Sequence, residues 1–137
     1  MDKNTCIFCK IANGEIPSAT LYEDSMFRVI LDLSPASKGH ALILPKKHFE
    51  NLFDMPEEEG KEILLLAKKV GTKLKEVLSC DGMNLIQNNG SSAGQTVFHF
   101  HMHLIPRNEG DDIKLNWEPG VLSEEVKQLI LEKFTKE

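Results

Sequence analysis

From Thr96 to Pro106 polar and apolar positions alternate. His99, His101 and His103 fall on one parity, and Phe98, Phe100, Met102 and Leu104 on the other. Side chains of a β-strand point to opposite faces in turn and recur on one face every ~6.6 Å. The run therefore predicts a strand over 96–106 with an apolar core face and a second face carrying a row of imidazoles. Shorter apolar runs between turn residues predict four more strands, over 20–23, 26–31, 40–45 and 82–87. Asp24-Ser25 and Ser34-Pro35 supply turns among the first three. Ile63, Leu66, Ala67, Val70, Leu74, Val77 and Leu78 instead recur with helical spacing. They predict one long amphipathic helix over 56–78, entered at Pro56 with Glu57, Glu58 and Glu59 at the positive end of its dipole. A short helix over 6–13, stopped by Gly14 and Pro17, and another over 121–134, capped by Ser123, complete the pattern. Strands, one long helix, then strands give an α+β class with a five-stranded antiparallel sheet and short terminal helices.

At 137 residues the chain reads as one domain, 1–137, long enough for a sizeable core. The net charge of −5 argues against a generic nucleic-acid face, yet leaves room for a small anion held by local donors. No apolar run approaches the ~20 residues of a membrane span, and Met1-Asp-Lys-Asn lacks the apolar core of a signal peptide. The expected location is the cytoplasm. Three cysteines, two of them in Cys6-Ile-Phe-Cys9, fit reduced thiols or a metal better than a disulfide framework.

A single histidine on a strand is ordinarily a satisfied, half-buried residue. Three in alternation must each be desolvated or hydrogen-bonded beside their neighbours, which needs a chemical reason. A neutral imidazole is an effective nucleophile near pH 7 because its free pKa is about 6.5. The middle one, His101, has a histidine on each side to hold phosphoryl oxygens. The preceding loop, Asn88 to Thr96, contains Gly90 and Gly94 with Gln95 and Thr96 as further donors. It is a candidate phosphate cradle, although it lacks the Lys-Ser/Thr ending of a nucleotide P-loop. Cys6 and Cys9 have the spacing of a zinc-binding pair that awaits two further ligands.

Ala93-Gly-Gln-Thr-Val followed by the alternating histidines resembles the histidine triad (HIT) family of nucleotide-binding hydrolases and transferases, in its Hint-like branch. The resemblance extends over Ile7-Phe-Cys-Lys-Ile, Glu15-Ile-Pro, Leu31-Asp-Leu-Ser-Pro, Leu44-Pro-Lys-Lys-His48 and Asn88 to Pro106. It implies that His101 attacks the α-phosphorus of a purine nucleotide, with His99 and His103 completing the catalytic set and His103 close to the leaving group. It also implies a base slot of Phe8, Ile11, Ile30 and Leu33, and Asp32 on the ribose hydroxyls. Asn88, Gly94, Gln95, Thr96 and His103 would surround ribose or phosphate. A structural zinc on Cys6, Cys9, His48 and His99, no organic cofactor, and a homodimer joined through 56–78 and the fourth strand follow in the same way. On residue chemistry alone, Asp32 could equally cap a turn and the apolar slot could equally be core.

The substrate expected is a purine nucleoside phosphoramidate or a related nucleotidyl P–O compound. A dinucleoside polyphosphate, or a binding module with incidental turnover, remains an alternative. A catalytic zinc held by the triad itself is disfavoured, since positions i and i+4 of a straight strand lie ~13 Å apart while metal bonds are near 2 Å.

Overall fold

The computed structural model describes residues 5–136, so the Met1-Asp-Lys-Asn run lies outside the described residues. The helices and strands are α1 (Ile7–Ala12), β1 (Thr20–Glu23), β2 (Phe27–Leu31), β3 (Ala41–Pro45), α2 (Glu57–Leu78), β4 (Gly82–Ile86), β5 (Met102–Arg107) and α3 (Glu124–Phe134). The strands form one antiparallel sheet in the order β1-β2-β3-β5-β4. The α+β class and strand count follow the hydrophobic pattern.

The apolar character of β3 has a simple cause, because this strand is buried on both faces. Ala41 and Ile43 join Phe27, Val29, Phe100, Leu104 and the α2 residues Ile63, Leu66, Ala67, Val70 and Leu74 in the main core. Leu42 and Leu44 point the other way and pack with Ile30 and Ala12, against Phe8 and Ile11 of α1. Burying a Leu or Ile side chain contributes roughly 1.5–3 kcal/mol, so this smaller cluster pins α1 to the sheet. Cys6 caps α1, its Sγ accepting from Cys9 N–H at 3.3 Å.

The histidine strand is shorter than its alternation predicts, since β5 begins at Met102 and residues 97–99 bend. Ladder pairing with β3 covers only Ile43↔Met102 to Ala41↔Leu104. Pro45 ends β3 without an N–H to extend that ladder, and its carbonyl is taken by the His99 ring at 2.8 Å. Phe100 N–H turns instead to Phe49 O at 2.8 Å. Alternation survives the bend: Phe100 and Leu104 remain in the core with Met102 against it, while Phe98 is half-buried outside that cluster.

Turns into the site are equally specified. Gly39 has φ +89°, and a Cβ there would press on the Leu78 side chain. Only glycine both adopts this backbone and fits beside α2, and the turn it makes leads directly into His40.

Candidate functional site

His101 is 8% exposed and faces a cleft of about 360 Å³ lined by Phe8, Ile11, Ile30, Asp32, Leu33, Thr96 and His103. Its Nδ1 lies 2.8 Å from His99 O. A carbonyl only accepts, so Nδ1 carries the proton and the Nε2 lone pair is left bare. Phe8 stands edge-on to the ring at a centroid distance of 4.9 Å. That contact restricts the imidazole and closes one side of it to water.

His103 lies beside it, with ring centroids 5.1 Å apart, and its proton is set by a chain of donors. Ala36 N–H donates to His40 Nδ1 at 2.9 Å, so His40 carries its proton on Nε2. His40 Nε2 is 2.9 Å from His103 Nδ1 and donates to it. His103 therefore holds its own proton on Nε2. The pair thus sets a bare nucleophilic nitrogen and a hydrogen-bond donor side by side. His40 has no role in the sequence reading, and its sequence signal is slight: a histidine after the glycine that turns into β3.

Burial keeps these rings uncharged. Desolvation lowers the pKa of His101 and of His40, and lowers His103 to about 4 with help from His101 and His40. Asp32 opposes the shift at all three. Its Oδ1 accepts from Ser34 N–H at 2.8 Å, an Asx turn, and its Oδ2 is 3.6 Å from His40 Nε2. Asp32 thus fills its turn role while its second oxygen faces the histidines.

The other expected substrate contacts divide between the cleft and its support. Ile11 and Ile30 lie within the cleft, Leu33 at its rim with 91% exposure. Gln95 is buried and its amide is fully engaged, donating to Glu50 O at 2.7 Å and Val97 O at 3.1 Å and accepting from Gly90 N–H at 2.8 Å. Asn88 Nδ2 reaches Gly94 O at 3.5 Å, and Gly94 has φ +95°. These three residues shape the loop that carries Thr96 to the cleft.

A second cluster sits behind His101. Cys6, Cys9, His48 and His99 bring four donor atoms within 4.8 Å of one another. Separations are 3.4 Å for Cys6 Sγ–His99 Nδ1, 3.2 Å for Cys9 Sγ–His48 Nδ1 and 3.2 Å between the two Nδ1 atoms. His99 gives its Nε2–H to Pro45 O, so its Nδ1 lone pair points at the sulfurs. The bare His99 nitrogen aimed at the thiols, with His48 Nδ1 beside it, fits a Cys₂His₂ zinc shell with its outer carbonyl already in place. His99 is fully buried and its pKa is lowered to about 4, first by desolvation.

The profile of the HIT domain matches residues 13–110. Adenosine 5'-monophosphoramidase hnt1 of Schizosaccharomyces pombe is 40% identical over 127 residues, which are 91% of this chain and 92% of that protein. A solved HIT family protein from Bacillus subtilis superposes with a TM-score of 0.87 at 39% identity, covering 95% of this chain and 94% of the other. A zinc-bound histidine triad family protein from Mycobacterium smegmatis superposes with a TM-score of 0.77 at 36% identity, covering 94% and 92%.

Proposed function

The chain belongs to the HIT family, and from that premise we propose that it hydrolyses purine nucleoside phosphoramidates, or related nucleotidyl P–O compounds, through a nucleotidyl–histidine intermediate. The observation that carries this reading is His101, with its Nδ1–H fixed on His99 O and its Nε2 free at the cleft beside the Nε2–H of His103. The bond from His101 Nε2 to the α-phosphorus forms as the P–N bond breaks. The departing nitrogen keeps the electron pair, accepts a hydrogen bond from His103 Nε2–H and takes its proton from a water molecule. The hydroxide so formed attacks phosphorus, and the Nε2–P bond breaks to return neutral His101. Two in-line displacements retain configuration, and positioning with charge stabilisation carries most of the rate.

The cleft volume and its apolar wall of Phe8, Ile11 and Ile30 suit a purine, with Asp32 Oδ2 on the ribose side and Thr96 near the phosphate. Cys6, Cys9, His48 and His99 would hold a structural zinc. Bound there, it supplies a cross-link between α1 and the segment that carries His101, and it takes no part in the steps above. Three cysteines outside any disulfide among the described residues fit a reducing compartment, the cytoplasm. Among the described residues no helix is long and apolar enough to cross a membrane. The exposed Leu64 and Leu85, on α2 and on the edge strand β4, support a homodimer joined along these elements.

The test is AMP release from adenosine 5'-phosphoramidate by wild type and His101→Ala, with the folded state of both checked. Turnover should vanish in the variant while nucleotide affinity stays within about tenfold. Retained turnover would remove His101 from the role of nucleophile.

A further inference from the structure

Among the described residues, five polar side chains line the cleft: Ser18, Asp32, Thr96, His101 and His103. The last four have a place in the proposed chemistry, and Ser18 has none. It follows Glu15-Ile-Pro17 and is half-buried, with Ile16 and Pro17 beside it and Ile11 and Ile30 in the same slot. A few polar groups set in an apolar wall are what fix a ligand's orientation and give a site its specificity.

The sheet register sets how far Ser18 lies from the reacting end. Thr20 pairs with Ile30, Ile30 with Leu42, and Leu42 with His103. Three strand spacings, ~14 Å, therefore separate the Thr20 and His103 positions across the sheet. Ser18 comes two residues before Thr20, so it stands at the end of the cleft away from the histidines. The base, not the phosphate, reaches that end. Ala19 O accepts from Leu31 N–H at 2.9 Å, which fastens the segment to the end of β2.

The Ser18 proton is directed by a chain that starts at Arg28. This guanidinium is held at three points. Its Nε donates to Ala12 O at 3.1 Å, its Nη2 pairs with Glu23 Oε2 at 2.8 Å, and its Nη1 donates to Thr20 Oγ1 at 3.0 Å. Ser18 Oγ lies 3.0 Å from the same Thr20 oxygen. A hydroxyl whose oxygen accepts from a cation is the stronger donor of a pair, so Thr20 donates to Ser18 Oγ. That leaves the Ser18 O–H for another acceptor, on a side chain that lines the cleft.

We infer that Ser18 is a specificity residue, donating its O–H to a ring nitrogen of the bound purine. The inference deepens the nucleotide reading above and rests on it. Which nitrogen is contacted decides the base preference. N1 accepts in adenine and carries a hydrogen in guanine, so a contact there selects adenine. N3 and N7 accept in both bases, and a contact at either admits both.

Calorimetric titration with AMP and its 1-, 3- and 7-deaza analogues tests this on wild type and Ser18→Ala, the fold of both being checked. Each analogue replaces one ring acceptor by C–H. One of them should bind wild type about fivefold more weakly than AMP, the usual effect of losing a single neutral hydrogen bond. In Ser18→Ala that difference should disappear, as it does when both partners of one contact are removed. A wild type that binds AMP, with every analogue penalty unchanged in Ser18→Ala, would overturn the role of Ser18 alone. A wild type that binds no AMP would overturn the nucleotide reading and this inference together.

Discussion

His40 donates its Nε2–H to Nδ1 of His103 across 2.9 Å, and the backbone N–H of Ala36 fixes that direction from the far side of the ring. The proton that His103 presents to a leaving group is therefore determined by a residue that does not line the cleft. Removing it frees His103 to adopt the tautomer with Nε2 bare.

His40→Ala should lower kcat for a phosphoramidate with a basic leaving amine by about 10- to 100-fold, the range for losing a partner that orients a reacting group. Substrates whose leaving group needs no proton should lose much less. Steady-state kinetics on a pair of such substrates separates positioning from general damage. An equal loss on both would assign His40 a merely structural part.

The thiol cluster gives a prediction of another kind. Cys9→Ser should reduce bound zinc and lower the unfolding temperature by roughly 10 °C, because metal held only by the folded chain adds directly to folding free energy. Once the variant is folded at low temperature, its chemical step should be close to that of wild type, since His99 faces the thiols rather than the cleft. Metal analysis and calorimetry on the purified protein check this. An undiminished zinc content would remove Cys9 from the ligand set.

Much of this site is local in sequence and was legible there. The alternation at 99–104 gives the core parity and the histidine parity, and Cys6 and Cys9 announce a shared donor site. What the sequence does not contain is the bend before Met102. It arises because Pro45, far along the chain, has no N–H for the ladder and offers its carbonyl to His99. Once bent, the three histidines separate into different environments: His99 among thiols, His101 at the cleft and His103 on His40. Gln95 illustrates the same limit. Its residue type suits a phosphate donor, but its three partners at Glu50, Gly90 and Val97 come together only in the folded loop.

The acid limb of activity follows from burial. Desolvation lowers His101 from its free value of 6.5 and brings His103 from 6.5 to about 4. A histidine with a depressed native pKa leaves the unfolded chain binding more protons between the two values. Its contribution to stability is therefore fully present above 6.5 and is lost as pH falls toward the native value. The nucleophile obeys the same sign, because only neutral His101 has a lone pair at Nε2. With the uncatalysed rate subtracted, kcat/KM should stay level from pH 8 down to about 6.5 and decline only below it, since this parameter reports the free enzyme. A decline that begins at pH 7 or above would mean that a cationic histidine is stabilised in the free site. Burial would then not be what keeps the nucleophile ready.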